Sequence, residues 1–228
     1  MTVAARLAAV RQELEAACRA AGRDPSEVTL VAVSKTFGPE AIREAWAAGQ
    51  RDFGESYAQE LRDKAAALAD LPGLRWHFVG RIQSNKARYI APVATRVHAI
   101  EALRHAKALA ARAERLVPVL VAVNVGGEET KGGVAPEATL DLCAALHELP
   151  GVEVRGLMTL PPWRDDPEEV GPYFARLAAL AAEGRRRGLP LEELSMGMSH
   201  DFPVAVRHGA TWVRVGTAIF GQRPKVSR

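Results

Sequence analysis

With 228 residues, 48% of them hydrophobic and 25% charged, the chain can bury one sizeable core and has the balance of an ordinary globular protein. Its net charge is only +3, its basic residues are scattered apart from Arg185 to Arg187 and a tail around Arg223 and Lys225, and 6% aromatics supply no stacking platform, which argues against nucleic acid as a partner. No apolar run is long enough to span a membrane, Arg6, Arg11 and Glu13 interrupt the opening segment, and Cys18 and Cys143 have no paired spacing, so neither a membrane anchor, a secretion signal, a disulfide framework nor a thiolate metal site is expected, and the expected compartment is cytoplasmic.

Val3, Leu7, Val10 and Leu14 recur at helical spacing and predict an amphipathic opening helix over about 2–21, stopped by Gly22. Val28 to Lys35 then reads V-T-L-V-A-V-S-K, a strand covered on both faces as in a parallel sheet. It ends on a lysine, and two readings stand: a solvated lysine where the strand surfaces, or a Schiff-base lysine at the carboxyl end of a barrel strand. Gly38-Pro39 opens a helix that Gly49 ends. Arg51 to Phe53 leads into Gly54, Glu55 and Ser56, and Ser56 with Gln59 spells a capping box for a helix to about Ala69.

Leu74 to Val79 gives a third strand and Val93 to Ile100 a fourth, followed by a helix from Glu101 to Arg115. A fifth strand, Val117 to Val125, runs into a glycine-rich loop, Gly126 to Gly133, that holds Lys131 and precedes a helix from Pro136 to Leu149. Val152 to Leu157 is a sixth strand, Glu168 to Arg187 a long helix, Leu194-Ser195 a seventh strand, Ser199 to His208 a helix and Thr211 to Val215 an eighth strand. Eight strand signals alternating with helices, without a break in composition, predict the α/β class and a single (β/α)8 TIM-type barrel over 1–228, with an extra N-terminal helix and a basic tail at about 222–228. A doubly wound sheet would alternate similarly, but no G-x-G-x-x-G follows the first strand.

Two strand ends look suited to a phosphate: Ser195-Met196-Gly197-Met198-Ser199, and Arg214-Val215-Gly216-Thr217. Glycine lets backbone N–H groups approach an anion, and Ser199 and Thr217 offer hydroxyls; the plainer reading makes these residues ordinary caps and turns. A Walker loop is absent, since Lys131 lacks the glycine spacing before it and the hydroxyl residue after it, and reads as a surface-loop lysine. Period-2 parity puts Val213 and Val215 on one face of the eighth strand and Arg214 on the other, pointing into the barrel, either in a structural ion pair or toward a ligand acceptor. Closure of a barrel would bring Lys35 beside this cradle. A lysine, a phosphate cradle and an inward arginine together fit pyridoxal 5'-phosphate, held as a Schiff base on Lys35 with Arg214 facing the ring nitrogen.

Seven strings, A-V-S-K-T from Ala32, F-G-E from Phe53, W-H-F-V-G from Trp76, Q-S-N-K from Gln83, G-L-M from Gly156, S-M-G-M-S from Ser195 and R-V-G-T-A-I-F-G from Arg214, closely resemble those of the pyridoxal phosphate homeostasis proteins. The resemblance runs from about Val3 to Gly221 and implies a barrel similar to the N-terminal domain of alanine racemase, with the cofactor on Lys35, phosphate on Ser199, Gly216 and Thr217, and Arg214 at the ring nitrogen. Where the family usually reads F-G-E-N this chain has Ser56, so Ser56 is left out of the cofactor set. His200 reads as a surface residue and His77 as barrel packing, and no histidine pair has metal spacing.

An arginine against the pyridine nitrogen opposes ring protonation and weakens the ring as an electron sink. The chain's three tyrosines, Tyr57, Tyr89 and Tyr173, come with no second domain to place one over Lys35 as a second base. The expected function is therefore intracellular storage, delivery or buffering of pyridoxal phosphate without turnover, with apo pyridoxal-phosphate enzymes as the partner class that delivery calls for. The alternatives are a pyridoxal-phosphate racemase or decarboxylase acting on amino acids, and a cofactor-free Schiff-base aldolase.

Overall fold

Thr2 Oγ1 accepts a hydrogen bond from the Ala5 backbone (3.2 Å) and caps α1, Val3–Ala20, which buries Val3, Leu7, Val10, Leu14 and Cys18. Strand and helix then alternate: β1 (Thr29–Val33), α2 (Pro39–Ala47), β2 (Asp52–Glu55), α3 (Ala58–Ala67), β3 (Arg75–Phe78), α4 (Ala87–Ile90), β4 (Arg96–Ile100) and α5 (Leu103–Ala110). The second half continues with β5 (Val117–Ala122), α6 (Pro136–His147), β6 (Val152–Met158), α7 (Gly171–Arg186), β7 (Glu193–Ser195), α8 (Phe202–Arg207), β8 (Trp212–Val215) and α9 (Thr217–Phe220). In this computed structural model, which describes residues 1–128 and 132–222, the eight strands are parallel and close in sequence order into the expected barrel, with Val31 paired to Arg214 and Ala32 to Val215. Lys131 and the basic tail from Arg223 lie outside the described residues. No described helix is long and apolar enough to cross a membrane.

Strand parity sorts the side chains. Leu30, Ala32, Phe53, Trp76, Phe78, Val213 and Val215 join the core shared with the helices, as alternate residues of a strand must. The barrel interior is divided: Ala99, Leu120, Ala122 and Met158 form a small apolar cluster, while β2, β3, β4, β7 and β8 contribute Asp52, His77, His98, Ser195, Trp212 and Arg214. Arg214 points inward as its parity requires, and the Trp212 indole packs on both imidazoles, at 5.1 and 5.9 Å between ring centroids. The polar residues are joined. Arg75 donates to both Asp52 oxygens (2.8 and 2.5 Å), Asp52 Oδ1 meets His77 Nε2 (2.9 Å), His77 Nδ1 meets His98 Nε2 (2.9 Å), and His98 Nδ1 meets Ser195 Oγ (2.7 Å).

The opening helix fastens the barrel seam. It packs on α2, α8 and α9, and Arg6 donates to the carbonyls of Ile219 (2.6 Å) and Phe220 (3.1 Å). Just beyond its end, Arg23 donates to the carbonyls of Val206 (3.0 Å) and Ala210 (2.8 Å). The β1–β8 closure, where Lys35 and the cradle meet, is thus tied from outside.

Two local expectations fail for identifiable reasons. Ser56 and Gln59 form no capping box: β2 runs on to Glu55, and α3 starts at Ala58 behind Tyr57, with no side-chain cap. Glu55 is drawn into the strand by a buried ion pair, and Ser56 is held under Gly80, where a β-carbon would stand 2.0 Å from the Ser56 carbonyl oxygen. Likewise α8 starts at Phe202 and not at Ser199, because Asp201 Oδ1 accepts the Met198 N–H (2.6 Å) and closes a turn first.

The buried polar groups make stability depend on pH in opposed ways. Burial raises Asp52, but hydrogen bonds from Arg75 and His77 outweigh it and bring the carboxyl down to about 2. Burial lowers His77, and it lowers His98 well below the ordinary range, helped by the charges of His77, Arg214 and Arg96. At these three groups the folded chain binds fewer protons than the unfolded chain below about pH 6.5, so they withdraw stability as pH falls, Asp52 alone by about 2 kcal/mol below about pH 4. Glu55 has the opposite sign. Burial raises it to about 6 against the pull of Lys64 and Ser34, so it adds about 2 kcal/mol as pH falls from about 6 to about 4.5. Urea unfolding at stepped pH should show Glu55→Gln losing stability more steeply than wild type in that window; equal slopes would refute the raised carboxyl.

Candidate functional site

Beyond β1 the chain turns through Ser34, Lys35 and Thr36, and the turn is held from below. Ser34 Oγ donates to Glu55 Oε1 (2.6 Å), and Lys64 Nζ, on α3, donates to the Ser34 carbonyl (2.9 Å), Glu55 Oε1 (2.8 Å) and Glu60 Oε2 (2.9 Å). Thr36 sits at φ +70°, a left-handed conformation that a β-branched residue adopts only under constraint. Its N–H donates to Glu60 Oε2 (3.0 Å), so the same network that pins β1 also holds the strained residue next to Lys35. Glu55 Oε2 has no hydrogen-bond partner in its buried position, in keeping with a carboxyl that burial biases toward the neutral form.

Across the seam lies the cradle. Ser199 Oγ accepts from the N–H groups of Gly216 (3.3 Å) and Ala218 (3.4 Å), so two backbone donors converge on one oxygen position. Gly216 packs against β1, where a β-carbon would stand 3.2 Å from the Val33 carbonyl oxygen, and Gly197 takes φ +92° beneath Phe202. These glycines allow the close backbone approach that an anion cradle requires, and Ser199, Gly216 and Thr217 line one cavity.

Arg214 is enclosed by protein, and burial pushes its pKa down to about 10, with the charge of Asp201 opposing. Nη1 donates to Ser195 Oγ (2.5 Å) and Nη2 to the Thr159 carbonyl (2.8 Å). The structural ion pair considered for it is not formed: among the described residues no carboxylate lies within 4.0 Å of it.

All five sequence candidates, Lys35, Ser199, Arg214, Gly216 and Thr217, line one cavity of about 520 Å³ at the carboxyl ends of the strands. Ser56 lines it as well, although its sequence departure kept it out of the set, and so do Arg81 and Trp163, which sequence reasoning passed over. Trp163 stacks on His200 at the rim, with ring centroids 4.5 Å apart, and His200 Nε2 lies 3.1 Å from the Asp165 carbonyl, at the exposed position expected of it. The signal for Trp163 was weak: a single aromatic in the Pro161 to Pro167 loop. His77, expected as packing, lies in the barrel below the cavity. Among the described residues no group of three or more His, Cys, Asp or Glu could hold a metal ion.

The cavity and donor set suit a phosphate-bearing aldehyde: an amine, two backbone N–H groups with hydroxyls beside them, and a buried guanidinium. Comparison with known proteins points the same way. The family model for the alanine racemase N-terminal domain matches residues 5–224. A pyridoxal phosphate homeostasis protein of Aquifex aeolicus is 45% identical over 227 residues, spanning 98% of this chain and 99% of its own length. Its counterpart from Pseudomonas aeruginosa is 47% identical over 225 residues, spanning 97% and 96%. Among solved structures, PipY of Synechococcus elongatus without pyridoxal phosphate superposes with a TM-score of 0.87 at 40% identity over 96% of this chain and 100% of PipY. PipY with pyridoxal phosphate bound gives a TM-score of 0.84.

Proposed function

This chain belongs to the pyridoxal phosphate homeostasis proteins, within the alanine racemase N-terminal domain family, and we propose that it is a carrier that stores, delivers or buffers pyridoxal 5'-phosphate. When bound, the cofactor supplies an aldehyde that condenses with an amine, releasing water, and a pyridine ring that is a strong electron sink only when its nitrogen is protonated. Lys35 provides the amine for a Schiff base. Ser199, Gly216 and Thr217 hold the phosphate, and Arg214 faces the ring nitrogen and opposes its protonation, since like charges repel.

The observation that carries this reading is the makeup of the cavity wall. It offers a lysine and an anion cradle, but among the described residues none of the three tyrosines lines it. Tyr57 is exposed, Tyr89 accepts from Arg88 (2.9 Å), and Tyr173 accepts from Arg164 (3.4 Å). Racemisation needs a proton donor and acceptor on opposite faces of the substrate, and among the described residues the ionisable side chains that the cavity adds to Lys35 are only two arginines, Arg81 and Arg214, and His200, which stacks on Trp163 at the rim. Protein loaded with pyridoxal phosphate should therefore keep its cofactor through desalting and leave the optical rotation of L- or D-alanine unchanged. Robust racemisation would sink the carrier reading.

A further inference from the structure

Arg214 poses a charge problem. A guanidinium is costly to bury without an acceptor of opposite charge, yet its two partners are a neutral hydroxyl and a neutral carbonyl. One of them, Ser195, is the first link of the chain that runs through His98 and His77 to Asp52. We infer that Asp52, His77, His98 and Ser195 are positioning residues for Arg214, a hydrogen-bonded chain of single polarity that anchors the guanidinium to the Asp52 carboxylate. What Arg214 faces rests on the carrier reading above; the chain itself does not.

For neutral imidazoles the donor and acceptor inventory fixes the polarity, starting from the Asp52 end. An ionised carboxylate only accepts, so His77 carries its proton on Nε2 and offers Nδ1 as an acceptor. His98 must then donate from Nε2, which leaves His98 Nδ1 to accept from the Ser195 hydroxyl. That hydroxyl has spent its proton on His98, so its oxygen is left to accept from Arg214, which only donates. Every link is satisfied with both imidazoles neutral. A second proton on His98 would set a donor against the Ser195 proton, and one on His77 would force His98 to donate from Nδ1 and leave the Ser195 proton without a partner in the chain, so either would undo the polarity.

The surroundings favour the neutral rings. The charged groups packed around them are Asp52 from β2, Arg75 from β3, Arg96 from β4, Glu193 from β7 and Arg214 from β8. Arg96 lies over the Trp212 ring at 4.6 Å and pairs with Glu193 (3.1 Å), so its charge is near the rings and partly compensated. Burial and these cations both lower the two histidines, consistent with the polarity already required by geometry. The functional consequence is a charge held in place. With its tautomers locked, the chain keeps Arg214 cationic and oriented, and a pyridine nitrogen against it stays unprotonated, which is the state a carrier needs and an enzyme of carbanion chemistry does not.

Nitrogen-15 NMR of the cofactor-free protein tests the polarity directly. Both imidazoles should be neutral, protonated on Nε2, and silent through the region around pH 6.5 where an ordinary histidine titrates; an Nδ1 proton or ordinary titration on either ring would overturn the inference. The coupling to Arg214 is tested on protein loaded with pyridoxal phosphate. His98→Leu leaves buried groups unpaired and should weaken cofactor retention about tenfold while shifting the pH profile of the visible band. His98→Gln, which can accept from Ser195 and donate to His77, should restore both. If the two variants lose thermal stability alike and leave the pH profile at its wild-type position, the role is merely structural and the inference fails. A wild-type chain that takes up no pyridoxal phosphate would instead sink the carrier reading, and the imidazole resonances would still decide the relay.

Discussion

Lys35→Ala protein, incubated with pyridoxal phosphate and desalted, should emerge without the visible imine band that wild type retains. The lysine stands at the carboxyl end of β1, on the wall of the cavity that also holds Ser199, Arg214, Gly216 and Thr217. Lys64, the lysine placed beneath the same turn, is a poor substitute: its ammonium donates to three acceptors and is buried against Glu55. Loss of the covalent link leaves only the phosphate and ring contacts, and retention should fall by about a hundredfold, equivalent to about 2.7 kcal/mol. Borohydride reduction should fix the cofactor to wild type and not to the variant. A variant that kept the band, or that reduction still labelled, would move the tether to another residue. A wild-type protein that is colourless with pyridoxal phosphate and is trapped by borohydride only with a keto-sugar would mark it as a Schiff-base aldolase.

Lys64→Met should cost the fold about 3–5 kcal/mol, because breaking a buried ion pair from one side leaves Glu55 enclosed without its partner, so that folding must either bury the charge or protonate a carboxyl that is ionised in the unfolded chain. For a chain of this size that corresponds to a fall in melting temperature on the order of 10 °C. The double variant with Glu55→Gln should recover much of the loss, since a pair replaced on both sides no longer strands a charge. Both variants should also loosen Thr36, whose left-handed backbone is held by Glu60 within the same network, and so weaken cofactor retention even where the chain stays folded. A loss below about 1 kcal/mol, additive in the double variant, would mean that the pair behaves like a surface bridge.

The barrel was legible because its signals are short-range and repeated: apolar runs of strand length alternating with helical periodicity, and parity along β8 that turns Arg214 inward. Closure alone, a property of the fold, then carried Lys35 to the cradle across most of the chain. What stayed hidden depends on partners distant in sequence. Ser56 looked like a helix cap because nothing local shows that Glu55 has a buried lysine waiting on α3; the i,i+4 spacing of Glu60 and Lys64 was the available hint, and it reads equally as a surface pair. His77 read as packing, and its partner His98 lies on the neighbouring strand, where a single histidine in R-V-H-A-I carries no signal of its own. Ser195 was grouped with a phosphate loop, whereas strand parity turns it into the barrel toward Arg214.

The closing of β8 against β1 also sets an order in time. Lys35 lies near the start of the chain and Thr217 near the end of the barrel, and at a synthesis rate of about 5–20 residues per second the lysine is made roughly ten to forty seconds before the last element of the cradle exists. During that interval the amine belongs to an incomplete barrel whose seam has no second side, and α1 has no α8 or α9 to fasten. The cavity at the seam is in this sense completed only when the two ends of the chain have met, and on the carrier reading a coloured molecule is one in which they already have.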